Sequence, residues 1–158
     1  MDFPIFHFDF IGNRMLIAIT AIIHVMINHP MAVGAIPLAT LLEWRAHKSR
    51  SLALDNLAYK ITFVMFIITT TLGAMTGVGI WFTTSMVNPA SIGSLLRVFF
   101  WAWFSEWIVF VLEVCFIMLY FLTWKKYAGE RKIKHVRMGL YLSILSWLTM
   151  AVISAILA

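Results

Sequence analysis

Residues 98–124 read VFFWAWFSEWIVFVLEVCFIMLYFLTW, a run in which Glu106 and Glu113 are the only charges. That run exceeds the ~20 residues a helix needs to cross ~30 Å of hydrocarbon, so it reads as a membrane span and not as a strand or soluble core helix. A second uncharged stretch, Met15 to Leu42, holds His24 near its middle. Ionisable groups at such depth cost ~2.5–3.5 kcal/mol each on insertion scales and by default mark proton, ion or cofactor sites. Function is therefore sought at His24, Glu106 and Glu113.

Composition points the same way. Of 158 residues, 62% are hydrophobic and 12% charged, and the mean hydropathy is +0.91, well beyond the roughly half apolar, quarter charged mixture of soluble domains. The net charge of +5 does not indicate nucleic acid, because ten of the twelve basic residues fall in two short clusters that flank apolar spans. The single cysteine, Cys115, lies inside an apolar run, which leaves no disulfide framework, no CxxC metal site and no thioether attachment of haem.

Four apolar stretches follow one another at about 14–43, 61–83, 94–124 and 138–158, which predicts an all-α membrane protein, residues 1–158 forming one four-helix bundle without a soluble domain. Pro30, Gly34 and Pro37 predict a kink or short break in the second half of the first span, leaving His24 in regular helix. Asp2 and Asp9 precede a single Arg14, and the following apolar run is too long for a signal-peptide core, so the first stretch reads as a retained span. Arg45, Lys48, Arg50 and Lys60 in one connection, and Lys125, Lys126, Arg131, Lys132, Lys134 and Arg137 in another, place both on the cytoplasmic side by the positive-inside rule. The N-terminus, the turn at Asn88 and Pro89, and the end of the fourth span at Ala158 then face the other side, in a bacterial or archaeal cytoplasmic membrane. No internal repeat is visible.

His24 lies ten residues after Arg14, about 15 Å along a helix at ~1.5 Å per residue. A neutral imidazole there can ligate haem iron or hydrogen-bond between helices. Glu106 and Glu113 are two turns apart, nearly on one face, with Trp103 and Phe110 on the same stripe to wall a flat ring. They are candidates for proton relay or for contact with iron; the plain alternative is hydrogen bonding to a neighbouring helix for one and snorkelling for the other. His29 is ~140° around the helix from His24 and either holds a second cofactor or caps the kink. Arg14 suits a haem propionate or interfacial anchorage. Gly73, Gly77 and Gly79 allow close approach of a helix or ring. His7, His47 and His135 fall outside the spans and read as solvated or at lipid head groups.

These residues resemble the first half of subunit I of the cytochrome bd quinol oxidases. The first span carries Arg14, then Ala18-Ile19-Thr20-Ala21 and His24; the second carries Gly73-Ala74-Met75-Thr76-Gly77; the third runs from Glu113 to Trp124. The resemblance covers roughly residues 14–137. It implies that His24 ligates a buried haem of b-type or related kind and that Glu113 lies on the proton route or beside the iron. The family's earlier third-helix glutamate falls on Ser105, so Glu106 matches only with a one-residue slip. The family also continues into helices bearing further haem ligands and a quinol-binding loop, so this chain is expected to act with other membrane subunits or as a homo-oligomer.

The expectation is a cytochrome subunit of a respiratory electron-transfer complex, with quinone or cytochrome c as partner and oxygen as an acceptor. The competing expectation is a non-catalytic anchor or assembly subunit. A small proton-coupled transporter fits less well, because neither a repeat nor a Gly/Pro-broken pair of helices is evident.

Overall fold

The computed structural model describes residues 5–7 and 9–157; Asp2 and Ala158 lie outside the described residues. Four helices are long and apolar enough to cross a membrane. They are α1 (Asn13–Ser49), α2 (Leu52–Val87), α3 (Pro89–Thr123) and α4 (Lys132–Leu157), with short 3-10 turns at Trp124–Lys126 and Gly129–Arg131 between the last two. Each of the four extends beyond the apolar stretch that announces it. Asp55, Asn56 and Lys60 form the first turns of α2, and Lys132, Lys134 and Arg137 those of α4. Hydropathy marks only the part of a helix that lipid must surround, and polar turns continue the same hydrogen-bond ladder beyond it.

The connections follow from their residues. Arg50 adopts the left-handed conformation (φ 50°) that closes α1, and the Ser51 hydroxyl accepts from the Leu54 N–H at 3.4 Å to cap α2. At the other end of the bundle the Asn88 side chain accepts from the Ser91 N–H at 3.2 Å, with Pro89 at the first position of α3, where a missing N–H costs nothing.

The expected break in α1 is a π-turn over Pro30–Ala35. Neither Pro30 nor Pro37 can donate to the carbonyl four residues back, which loosens the ladder between them. The Val33 carbonyl, which Pro37 leaves without its helical donor, instead accepts from the Trp147 indole N–H of α4 at 3.3 Å. A second π-turn at Thr69–Gly73 interrupts α2, where the sequence reading expected none. There the hydroxyls of Thr69, Thr70 and Thr71 donate to the carbonyls of Met65, Phe66 and Ile67 at 2.9, 2.6 and 2.6 Å, and such back-bonding bends helices. Both interruptions are π-turns within continuous helices, one at prolines and one at a threonine run. In α3 the ladder kinks at Phe99.

Packing is uneven along the bundle. The second half of α1 lies against the first half of α2 and against α4, and α3 packs on α4. Ile36, Ala58, Met65, Ile117, Tyr120, Trp124 and Leu142 form a core at this end, the one that carries the basic connections. The first half of α1 packs chiefly on the second half of α2, and no residue of Asn13–His29 is fully buried. The bundle is closed at one end and open at the other.

Candidate functional site

Thr20, His24 and Asn28 recur every four residues along one face of α1 and meet the glycines of α2. A Cβ placed on Gly77 would stand 3.1 Å from the His24 ring, one on Gly73 2.5 Å from the Asn28 amide oxygen, and one on Gly79 3.4 Å from Thr20. The glycines therefore form a rail on which the imidazole lies. His24 Nδ1 is 2.9 Å from the Thr76 hydroxyl oxygen, and Thr76 itself donates to the Leu72 carbonyl at 2.7 Å. The Asn28 amide nitrogen donates to the His24 carbonyl at 3.1 Å and stands 3.0 and 3.4 Å from the two ring nitrogens.

Glu113 is buried between α3 and α4 and accepts from the Ser146 hydroxyl at 2.6 Å. Glu106, two turns nearer the open end, is half-buried and has no hydrogen bond or ion pair among the described residues. Trp103 lies edge-on to Trp81 of α2 with centroids 5.2 Å apart, whereas Phe110 is 46% exposed and faces outward. Arg14 is exposed and His29 half-buried at the entrance to the π-turn. The structure thus brings His24 and Gly77 together, and holds Glu113 on a different seam.

The expectation that His135 is solvated is wrong. His135 is fully buried, as is Glu43, and their side chains meet across α4 and α1 with Nδ1 and Oε1 2.6 Å apart. His135 Nε2 donates to the Tyr120 carbonyl at 2.8 Å, the Tyr120 hydroxyl donates to Glu43 Oε2 at 2.6 Å, and the two rings stack with centroids 4.4 Å apart. Lys132 Nζ completes the group, 3.1 Å from Glu43 and 2.8 Å from Asp55. Gly139, one turn further along α4, makes this convergence sterically feasible: a Cβ there would lie 2.5 Å from the Thr40 hydroxyl and 3.0 Å from the Tyr120 ring. A loop reading of residues 125–137 concealed the site, because Lys132 and His135 sit among basic residues. Their spacing with Gly139, Ser143 and Ser146, three or four residues at each step, is the helical signal that could have revealed it.

Compared with models of protein families, with curated proteins and with solved structures, the chain finds no match.

Proposed function

We propose that the chain is a haem-binding cytochrome subunit of a membrane electron-transfer complex, of the kind its resemblance to cytochrome bd subunit I implies, with His24 as the residue that would hold the haem iron. The observation that supports it best is how His24 is held. Thr76 directs its hydroxyl proton to Leu72, so its oxygen faces Nδ1 as an acceptor. With the proton on Nδ1, the lone pair lies on Nε2. Iron-ligating histidines have this arrangement, in which the second nitrogen donates to a group that fixes tautomer and orientation. The Asn28 amide nitrogen, 3.0 Å from Nδ1 and 3.4 Å from Nε2, then has Nε2 and the His24 carbonyl as the groups it can donate to, and a metal held at Nε2 would leave it the carbonyl.

Haem bound there supplies one-electron chemistry at its iron. The protein's own residues do the rest. Gly77 lets the imidazole lie against the α2 backbone, and Arg14 at the open end suits a propionate. Ser146 donates to Glu113 Oε1, so a proton on Glu113 sits on Oε2 and can be passed on or taken up. Glu106 is the second relay group. The basic connections face the cytoplasm in this reading, and a further membrane subunit or a second copy covers the open half and supplies what a quinone or cytochrome c partner needs.

Visible absorption of the purified chain, expressed with haem supplied, tests the proposal. A Soret band is expected in the wild type and in His7→Ala, and its loss or shift in His24→Ala. No Soret band in the wild type would instead favour the anchor subunit. Glu113→Gln is expected to keep the haem while slowing proton-linked turnover.

A further inference from the structure

We propose that the Glu43–His135 pair is a proton-exchange site, reached from an open cleft at the basic end of the bundle through Asp55 and Lys132. The cleft has a volume of about 810 Å³, and Arg50, Ser51, Asp55, Tyr59, Lys125 and Lys132 are among its walls. Side-chain exposure falls stepwise along the route: 33% at Asp55, 9% at Lys132, and 0% at Glu43 and His135. Each step is a contact of 3.1 Å or less. A buried pair is thus joined to water by an unbroken line of charged groups.

The hydrogen bonds say which proton moves. Nε2 of His135 faces a carbonyl, which can only accept, so that hydrogen stays in place. The mobile proton lies between Nδ1 and Glu43 Oε1. With it on Nδ1, the cluster holds imidazolium, the Lys132 ammonium and the carboxylates of Glu43 and Asp55, and carries no net charge. Loading proceeds as a balanced relay: hydronium in the cleft protonates Asp55, Lys132 takes that proton as it gives one of its own to Glu43, and Lys132 remains an ammonium throughout. Glu43 becomes a neutral acid, Asp55 is again a carboxylate, and the cluster has gained one positive charge.

Among the described residues, the titratable groups around the pair and its cleft come from every element packed there. Tyr120 of α3 donates to Glu43, Asp55 and Tyr59 come from α2, Lys132 from α4, His47 and Arg50 at the end of α1 lie at the cleft with Lys125 and Glu130, and the Tyr127 ring is 5.5 Å from His135. Trp124 adds an independent sign of water. Its indole lies 4.2 Å beneath Lys132 Nζ at the cleft wall, and its buried N–H has no partner among the described residues, a place that ordered water fills in proteins. A purely structural role accounts poorly for four ionisable groups, since apolar replacements of buried ion pairs are often as stable. Beyond the pair, the buried face of α4 continues through Ser143 to Ser146 and Glu113. Supply of protons to Glu113 along this face rests on the proposed function; exchange at Glu43–His135 does not.

Hydrogen exchange of histidine ring protons, followed by NMR of the full chain in lipid nanodiscs, tests this without haem. The His135 signals are assigned by their disappearance in His135→Asn. The wild-type Nδ1 proton should exchange at least ~100-fold faster than backbone amides of the same helical turn, and Lys132→Met, which leaves Glu43 and His135 compensating each other, should slow it ~10-fold or more. His24→Ala should leave the rate unchanged. Exchange as slow as the neighbouring amides would show a sealed structural latch and overturn the proposal. Fast exchange indifferent to both Lys132→Met and Asp55→Asn would overturn the route. A protein that exchanges rapidly yet shows no Soret band loses the haem reading alone, and one with a Soret band and slow exchange loses the proton site alone.

Discussion

Glu43 receives the Tyr120 hydroxyl, the His135 ring and the Lys132 ammonium at once, so removing one partner leaves a buried polar group without its counterpart. Breaking such a buried pair costs about 3–5 kcal/mol. His135→Ala should lose stability on that scale in reversible unfolding from mixed micelles, while exposed His7→Ala stays within about 0.5 kcal/mol; equal stabilities would show that the cluster contributes nothing. At the rail, a side chain on Gly77 displaces the imidazole, whereas Gly93 has open space. Gly77→Val should therefore lower haem occupancy several-fold, read as Soret absorbance per protein, and Gly93→Ala should not. The parts of the His24 rail were legible, an imidazole in an apolar run and glycines at helical spacing, while their meeting is a tertiary contact that only the structure gives. The Glu43–His135 cluster was not legible, since its members come from segments far apart in the chain and two of them are disguised by neighbouring basic residues.

The two π-turns have different chemical origins, and each leaves a mark in the helix that carries it. In α1, Pro37 frees the Val33 carbonyl and Trp147 answers it. Losing a partner for that carbonyl in lipid costs about 1 kcal/mol or more, so Trp147→Phe should destabilise by that amount. In a Pro37→Ala background the restored backbone N–H can take over, and the penalty should shrink by half or more in a double-mutant cycle. Strict additivity would mean that Trp147 does not replace the missing helical donor. The prolines made the first interruption readable. The Thr69–Thr71 run did not announce the second, because threonine is ordinary in apolar helices and its back-bonding depends on side-chain rotamers that composition does not reveal.

Across the whole molecule, four spans and their order could be read from hydropathy, but the unequal closure could not, since every span is apolar around most of its circumference and the partner of each face is a tertiary property. Orientation is testable directly. In a Cys115→Ser background, a cysteine at Ser91 should react with an impermeant maleimide on intact cells, and one at Glu130 only after permeabilisation; the reverse pattern would invert the topology. The open half leaves His24 half-exposed on α1, where the proposed haem would lie. The most direct test is chemical rescue of the ligand. Reduced wild-type protein should show an iron–imidazole stretching band by resonance Raman, His24→Gly should lack it, and added free imidazole should restore it. An unchanged iron–imidazole band in His24→Gly, before any imidazole is added, would contradict the assignment of His24 to iron.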